Sequence, residues 1–242
     1  DRTFTLKGNN GLSDLNSRVE VFVDAQMVGS GTVGAAGIWE VQVTLKPGNH
    51  SLAVEQIASG KRTERGAPRA FKIRPAKIDE VKVDIIDKSI TFSGIGYPGA
   101  TVVITVPGWP VTLPQPVVAE GGGWEVKATG LALGKHRASV LQKVPDNANG
   151  WIESLPYTFE FNNSLPDVYA VSSTEDYQPT FRGKGFTGAT VKLFNPGGAS
   201  QAAPEVVVRN GEWQSKASKQ WGPTHNREVH IKQFLDEHES LN

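Results

Sequence analysis

The sequence predicts an all-β chain built from three tandem copies of one sandwich-forming unit. A tryptophan recurs at spacings of 85 and 89 residues, each time at the start of a short alternating strand: Trp39, Trp124 and Trp213. A strand ending in glycine precedes it, with an apolar anchor 33 or 32 residues upstream: Leu6, Phe92 and Phe181. An alternating strand ending in glutamine follows it: Gln56, Gln142 and Gln233. Three anchors in one order, in three copies, indicate a repeat of antiparallel strands.

A further strand lies between the glycine strand and the tryptophan strand of each copy. Copies two and three introduce it in the same way, with a Gly-Ala-Thr-Val sequence at 99–102 and 188–191. Glycine at this point permits the positive φ of a turn. Copy one instead has a longer polar connection over 9–18, which we expect to be a surface loop.

The outermost strands of the unit are not present in every copy. A first strand precedes the glycine strand at 78–83 and 167–171, and copy one has no counterpart. A closing strand follows at 69–73 and 157–161, and copy three has no clear counterpart. We therefore expect the chain to be a piece cut from a longer array, or one with trimmed ends. A missing strand leaves an open sheet edge that invites pairing with another chain.

The predicted domains are 1–75, which lacks the first strand, 76–163, and 164–242, which lacks a clear last strand. The joints, at 75–77 and 162–166, are short, so we expect an elongated, semi-rigid array. Helix signals are nearly absent. The best candidate is the polar segment 233–242, as one helical turn or a frayed strand end.

Composition excludes several classes of protein. Lys plus Arg equals Asp plus Glu, 25 each, so the chain has no long-range attraction to nucleic acid or anionic membranes. It has no cysteine, which excludes disulfides and thiolate chemistry, and no apolar stretch long enough to span a bilayer. One basic cluster, at Lys61, Arg62, Arg65 and Arg69, is interpreted as a solvated hairpin face rather than a basic binding patch.

The motifs of copy two carry a family resemblance. Thr-Phe-Ser-Gly-Ile-Gly-Tyr-Pro-Gly-Ala-Thr-Val at 91–102, followed by Gly-Gly-Trp-Glu-Val at 122–126 and Leu-Gly-Lys-His at 133–136, resembles the tandem immunoglobulin-like repeats of large bacterial surface and secreted proteins. The resemblance covers almost the whole chain and is weakest in copy one. It implies seven-strand sandwiches with Greek-key connections, in adhesin-like, invasin-like or toxin-associated proteins, where such repeats act as stalks and terminal modules bind. Fold alone does not establish function.

Residues that recur in every copy are interpreted as structural anchors. The repeat tryptophans share a face with apolar residues, so we expect them in the cores, with a ligand platform as the alternative. Gln56, Gln142 and Gln233 share the parity of apolar neighbours, and a buried amide needs partners. We expect each amide to tie its strand end to the backbone of an adjacent loop.

Three tryptophans do not recur at a shared position and are the candidate ligand-binding residues. Trp109, Trp151 and Trp221 are all expected in loops. Aromatic side chains on loops stack on sugars, fill a partner's pocket or pack against the next module. Trp109 is the first candidate for binding.

No catalytic, metal-binding or cofactor-binding residue is predicted. His50 and His136 are repeat equivalents and are expected at the rim of the units, and the other three histidines lack ligand spacing: His225, His230 and His238. The acids near the joints, Asp79, Glu80 and Asp167, are too sparse to indicate a calcium clamp, although weak binding stays open.

The expected function is that of a non-catalytic stalk or adhesion segment of a larger bacterial extracellular or surface protein. The alternative is a carbohydrate-binding array that targets an attached enzyme or toxin. The expected partners are the neighbouring repeats and an unknown protein or glycan, with no nucleic acid and no membrane insertion.

Overall fold

The computed structural model describes residues 2–14, 16–86, 89–109, 111–222 and 227–241. Strand dominates these ranges, and the one helical element within them is a short 3₁₀ turn at Ala35–Gly37. The strands form three immunoglobulin-like β-sandwich units, each with its own apolar core. The predicted all-β class is confirmed.

Unit 1 contains seven strands in the described residues. They are β1 (Arg2–Gly8), β2 (Arg18–Val23), β3 (Gln26–Thr32), β4 (Trp39–Leu45), β5 (Gly48–Ala58), β6 (Lys61–Arg62) and β7 (Arg69–Ile73). β1 and β4 form a two-stranded antiparallel sheet. The other sheet has the order β3-β2-β5, with β6 and β7 both pairing with β5. Valines from both sheets meet in the core: Val19, Val21, Val41 and Val43.

Among the described residues, unit 2 has both the first strand and the closing strand of the repeat. Its strands are β8 (Lys82–Ile86), β9 (Ser89–Ile95), β10 (Thr101–Thr105), β11 (Gly123–Thr129), β12 (Gly134–Pro145), β13 (Trp151–Glu153) and β14 (Tyr157–Asn163). One sheet has the order β8-β9-β11, and in the other β10, β13 and β14 all pair with β12. Consecutive strands from β9 to β12 alternate between the two sheets, so the core closes between them. Phe92, Val102, Val126 and Val140 are fully buried there.

Unit 3 repeats this plan with one strand fewer at its closing end. Its strands are β15 (Tyr169–Ser173), β16 (Thr180–Lys184), β17 (Thr190–Phe194), β18 (Gln201–Val207), β19 (Glu212–Lys216), β20 (His230–Leu235) and β21 (His238–Glu239). The sheets have the orders β15-β16-β19 and β18-β17-β20-β21. The described residues contain no equivalent of β14 in this unit.

Several sequence expectations differ from the structure. For the segment after Gln233 a helical turn is wrong and a strand end is right, because β20 continues through Gln233 and the chain turns back as β21. The first strand of unit 2 begins at Lys82, while Ile78 reaches the core from the linker before it. β3 and β18 were not predicted, because neither has a clean alternation of apolar and polar residues: β3 carries two glycines, and β18 has adjacent buried alanines.

The turn between β2 and β3 contains a strained residue. Asp24 and Ala25 both have positive φ, at 51° and 67°, which is the geometry of a two-residue hairpin turn. A Cβ disfavours this region, and Asp-Gly is the preferred pair in such turns. We expect Ala25→Gly to stabilise unit 1 by about 0.5 kcal/mol, the relieved strain being partly offset by added chain entropy in the unfolded state. Urea unfolding of wild type and variant measures the change in the free energy of unfolding of unit 1. A loss of stability in the variant would contradict the assignment of strain to Ala25.

Candidate functional site

The repeat tryptophans lie over the glycines that end the preceding strands. Trp124 is opposite Gly94 across the β9–β11 pair, and Trp213 is opposite Gly183 across the β16–β19 pair. A Cβ on Gly94 would stand 2.8 Å from Trp124 Cζ2, and a Cβ on Gly183 would stand 2.9 Å from Trp213 Cζ2. The glycine is therefore needed for room, since the indole covers the backbone at that point.

These tryptophans are not equally buried. Trp124 and Trp213 are each 4% exposed and belong to the cores of their units. Trp39, which faces Gly8, is only partly buried and packs against the core of unit 1 from its edge. The sheet that carries Trp39 has two strands instead of three, which leaves its indole less covered.

The repeat glutamine of unit 2 joins three segments at one end of the sandwich. Gln142 is 1% exposed. Its Oε1 accepts a hydrogen bond from the Tyr97 backbone N–H at 2.7 Å, and its Nε2 donates to the carbonyl of Ala76 in the linker at 2.7 Å. Its backbone N–H donates to Ser154 Oγ at 3.1 Å, and its carbonyl accepts from the Ser154 N–H at 2.8 Å. We call this set of residues the amide node.

Unit 3 has the same amide node in different residues. Gln233 Oε1 accepts from the Phe186 N–H at 2.9 Å, and Nε2 donates to the carbonyl of Pro166 in the second linker. The backbone of Gln233 exchanges two hydrogen bonds with Ser240, at 3.0 Å to Oγ and 2.9 Å from N–H. In units 2 and 3 the node thus ties the linker to the unit that follows it.

Unit 1 closes its amide node within the unit. The side chain of Gln56 bonds both the N–H and the carbonyl of Leu12, at 3.0 and 2.7 Å. The backbone N–H of Gln56 donates to Thr63 Oγ1 at 2.9 Å. In the other two units the glutamine N–H donates to a serine hydroxyl in the same way. Leu12 lies in the longer connection over 9–18. In unit 1 this connection supplies the carbonyl that accepts the glutamine Nε2 bond, whereas a linker supplies it in units 2 and 3.

The sequence pattern did not identify the hydroxyl partner of the node. Thr63, Ser154 and Ser240 follow their glutamines by 7, 12 and 7 residues. This spacing varies with the length of the intervening hairpin, so a fixed-offset search misses it. A second glycine of the Gly-x-Gly sequence is also part of the node: a Cβ on Gly96 or Gly185 would stand 2.8 Å from the glutamine Oε1.

Two arginines of the basic cluster in unit 1, Arg62 and Arg65, pair with two buried glutamates. Arg62 bonds both Glu20 and Glu55, the former at 2.5 Å, and Arg65 Nε donates to Glu55 at 2.7 Å. The Arg65 guanidinium also lies 3.7 Å from the centre of the Phe22 ring. Arg62 and Arg65 are exposed, as expected of a solvated hairpin face, and both also hold the hairpin against the outer face of β2 and β5.

This network makes the hairpin sensitive to acid. Hydrogen bonds from Arg62 hold the pKa of Glu20 below its usual value, and hydrogen bonds from Arg62 and Arg65 do the same for Glu55. A lowered pKa contributes stability that is present above the unfolded-state value near 4.5 and is lost as pH falls through the folded-state value. We expect the amides of 61–66 to lose hydrogen-exchange protection below about pH 4.5, and Glu55→Gln to remove much of that pH dependence. Equal pH dependence in wild type and variant would contradict this.

The three candidate ligand-binding tryptophans have different surroundings. Trp109 packs edge-on against Phe92 with ring centres 6.1 Å apart, and its Nε1 donates to the carbonyl of Thr129 at 3.1 Å. Trp221 packs on Phe181 at 5.4 Å and is covered by Arg227 at 4.1 Å. Both indoles therefore extend the cores of their units.

Trp151 is the exposed member of the three. It lies in β13 rather than in the expected loop, and 48% of it is exposed. The Lys143 ammonium lies 4.5 Å from the centre of its ring. Of the three candidates, Trp151 keeps the most ring surface available to a ligand.

The histidines of units 1 and 2 cap the same corner of the fold. His50 Nε2 donates to the carbonyl of Lys46 at 2.9 Å, and His136 Nε2 donates to the carbonyl of Ala132 at 2.8 Å. Each ring also contacts a phenylalanine of the closing strand, at 5.5 Å for Phe71 and 5.6 Å for Phe161.

Additional contacts surround His50. Its Nδ1 lies 2.7 Å from Asp24 Oδ2. Burial raises the pKa of Asp24, but the hydrogen bonds from His50 and the Ser51 N–H outweigh it, so the pKa is lowered. His225 lies outside the described residues, and His230 pairs with Glu228 at 3.2 Å. Within the described ranges, no group of three or more His, Asp or Glu is arranged to hold a metal ion.

The corner that His50 or His136 caps lies close to a hairpin turn of the next unit along the chain. Asn49, next to His50, donates from Nδ2 to the carbonyl of Asp146 in unit 2 at 2.6 Å. At the second joint, a Cβ on Gly134 would lie 3.8 Å from His238 Cε1 of unit 3. The first joint therefore has two contacts: the amide node on the linker, and the bond from Asn49 to the hairpin turn of unit 2.

A groove of about 750 Å³ runs beside the first joint. It is bordered by the linker residues 76–82, by the glycine-rich turn of 93–98 and by Trp124. The indole Nε1 of Trp124 is buried and has no hydrogen-bond partner among the described residues, whereas Trp213 Nε1 donates to the Lys184 carbonyl at 3.3 Å.

The fold defines an array of immunoglobulin-like sandwiches, and several solved structures are similar to it. A Ca²⁺-stabilized adhesin that helps an Antarctic bacterium bind ice is 17% identical, over 89% of this chain and 60% of that chain, with a TM-score of 0.26. A central fibronectin-III array of RIM-binding protein is 12% identical, over 93% of this chain and 84% of that one, with a TM-score of 0.30. The BSP domain of a biofilm associated protein is 11% identical, over 98% and 61%, with a TM-score of 0.27.

No family model and no curated protein matches the chain. The chain spans about three fifths of the length of the ice-binding adhesin and of the biofilm associated protein structures. In the part of the chain that is described, no helix has the length and apolar character needed to cross a membrane.

Proposed function

We propose that the chain is a non-catalytic structural and adhesion segment, a stalk or set of interaction modules, of a larger bacterial extracellular or surface protein. The observation that carries this proposal is the repeated joint. The carbonyls of Ala76 and Pro166, both in linkers, are each bonded by the glutamine amide of the following unit. A linker fixed in this way has less rotational freedom than a free chain of the same length.

A direct contact between units 1 and 2 supports the same role. The bond from Asn49 to the Asp146 carbonyl joins units 1 and 2 at a second point, away from the linker. Two separated contacts resist bending better than one, because bending about either contact strains the other. A spacer that presents a binding module at a distance needs this property.

The titratable groups support a non-catalytic role. Among the described residues, each group with a shifted pKa is held by an ion pair or by a turn: Glu20, Asp24, Glu55, Arg62, Lys82 and Asp146. In active sites, shifted pKa values often belong to a nucleophile and a base that lie together in a cleft. None of these six groups has that arrangement.

Small-angle X-ray scattering tests the stalk. Wild type is expected to scatter as a semi-rigid elongated particle. The double variant Gln142→Ala/Gln233→Ala is expected to scatter as three folded units on flexible joints. Gln56→Ala is the matched control, because its amide bonds Leu12 inside unit 1 and should leave the scattering unchanged. Freely jointed scattering from wild type would refute the proposal.

Carbohydrate binding is the second candidate, and the exposed Trp151 favours it. An indole face with a neighbouring lysine is a platform on which a sugar ring stacks. A glycan array probed with wild type and with Trp151→Ala tests it. Binding that the variant loses would support this function, and no binding to any glycan would remove it. Trp109→Ala is a poorer test, since that indole packs on Phe92.

A further inference from the structure

The sheet β15-β16-β19 of unit 3 has one face on the core and one face that points away from it. Phe181 on β16 and Trp213 on β19 belong to the core. Because side chains alternate along a strand, the residues on either side of these two point outward. This outer face of unit 3 carries three basic residues, one acidic residue and two neutral polar residues: Arg182, Lys184, Lys216, Glu212, Thr180 and Gln214.

The equivalent faces of the other two units each contain an ion pair that uses the residue after the repeat tryptophan. In unit 1 that residue is Glu40, which pairs with Lys7 at 2.5 Å. In unit 2 it is Glu125, which pairs with Lys127 at 3.1 Å. In unit 3 it is Gln214, a neutral amide. The acid that neutralises this face in units 1 and 2 is therefore replaced in unit 3.

The basic residues of the outer face consequently have no acidic partners in the described part of unit 3. The salt bridges found there all involve side chains of the other sheet. Lys216 lies opposite Thr180, and Arg182 and Lys184 follow Thr180 at intervals of two residues. Two residues of a strand span about 7 Å, so the three charges form a row with a spacing of about 7 Å. We call these three residues the basic row.

Groups that suit a sugar lie beside the basic row. Tyr169 is 48% exposed and lies opposite Lys184 in the pairing of β15 with β16. Arg182 has Ser172 on one side and Gln214 on the other. All of these except the tyrosine line one groove of about 480 Å³. Hydroxyl and amide groups bond sugar hydroxyls, and an exposed aromatic ring stacks on the face of a sugar.

A β-bulge forms one wall of this groove. The register of β15 against β16 shifts between Tyr169 and Ser172, and Ala170 within the bulge has a φ of 52°. The equivalent strand of unit 2, β8, pairs with β9 without a shift. Bulges are common next to active sites, where they redirect side chains. In unit 3 the bulge places Ala170 and Ser172 in the wall of the groove.

We propose that the outer face of unit 3 binds an acidic polysaccharide. The carboxylate or sulfate groups of the polymer pair with the basic row, and the Arg182 guanidinium forms the bidentate contact that its planar geometry allows. Sugar hydroxyls bond Gln214 and Ser172, and one sugar ring stacks on Tyr169.

An acidic peptide suits this face less well. β16 is paired on both sides, so it has no free backbone edge that a peptide strand could join. The binding surface goes beyond the stalk proposed above and depends neither on the joints nor on Trp151, since it uses one face of unit 3 only.

Polygalacturonate and dextran sulfate are the probes, added to the full chain and followed by isothermal titration calorimetry. Saturable binding of at least one of them is expected, and the tighter of the two identifies the acidic group that is preferred. Binding is expected to weaken as salt is added, because the contacts are between exposed charges. Neutral dextran, which has the same backbone as dextran sulfate, is expected not to bind.

Gln214→Glu is the most informative variant, because it restores the acid that both sister units have at this position. Binding is expected to weaken about tenfold, since the new carboxylate pairs with the basic row and repels the polymer. Arg182→Ser introduces the residue that unit 2 has at that position and is expected to weaken binding by a similar factor. Hydrogen exchange of β16 checks that unit 3 stays folded in both variants, and if one of them unfolds, the other decides.

Lys7→Ser is the matched control. Lys7 is the equivalent of Arg182 in unit 1 and is already paired with Glu40, so its loss changes the net charge by the same amount and should leave binding unchanged. Three results would overturn the proposal: neither acidic polymer binds saturably, Gln214→Glu binds as tightly as wild type, or Lys7→Ser weakens binding as much as Arg182→Ser. Equally tight binding of poly-glutamate would assign the face to an acidic peptide, and loss of binding in Trp151→Ala would place the polymer on unit 2; either would also contradict it.

Discussion

Replacing Gln142 by alanine is expected to lower the stability of unit 2 by about 2–4 kcal/mol. The side chain is fully buried, and its two ends satisfy the N–H of Tyr97 and the carbonyl of Ala76. Alanine removes the hydrogen-bond partner of both backbone groups, whose bonds to Gln142 are part-buried, and leaves a void where the buried amide stood. The cost of such orphaned groups exceeds the net value of the bonds themselves.

Hydrogen exchange is the suitable measurement, because a chain of three units need not unfold in one transition. A loss of 2 kcal/mol corresponds to about a 30-fold fall in protection for the amides of β12. Gln56→Ala is the matched control in unit 1: its partner Leu12 is largely exposed, so water replaces the lost bonds and the cost is expected below about 1 kcal/mol. Equal losses in the two units would show that burial of the node does not matter.

Trp124→Ala is expected to lower the stability of unit 2 by about 3–5 kcal/mol. The indole belongs to the core and covers the backbone of Gly94, so its removal opens a cavity that rigid strands on both sides cannot close. Scanning calorimetry should find the transition of unit 2 lowered by more than about 10 °C, given the small size of the unit.

Trp151→Ala in the same unit is the control for this change. Its indole is about half exposed and lies on the outer face of β13, so its loss is expected to cost less than about 1 kcal/mol. If both variants shift the transition equally, Trp124 is not the anchor of its core. Comparing the two variants also distinguishes the structural tryptophan, Trp124, from Trp151, the candidate for glycan binding.

Much of the fold was predictable because it depends on periodic features. The alternation around Trp124 and Val126 places apolar residues on one face of a strand, and burial follows that parity in β11. The recurrence of the glycine, tryptophan and glutamine anchors gave the number of units without any knowledge of their contacts. Where periodicity fails, prediction failed too: β18 was missed because Ala202 and Ala203 are buried side by side.

The partners of the anchors were harder to predict. A buried glutamine signals that hydrogen bonds must exist, but Ser154 and Ala76 are 12 and 66 residues away and only folding brings them to Gln142. Trp109, Trp151 and Trp221 look alike in sequence. Whether an indole packs on a phenylalanine or faces solvent depends on which segments meet beside it, as Trp109 and Trp151 demonstrate.

The sequence by itself determined the all-β class, the threefold repetition and the residue types at the anchors, because side-chain alternation and turn chemistry are local properties of the chain. Only the tertiary structure decided that the glutamine amides of units 2 and 3 hold the linkers and that Arg62 and Arg65 neutralise two buried glutamates. Each of these depends on segments far apart in sequence that meet when the two sheets close on a core, and no local pattern specifies such a meeting.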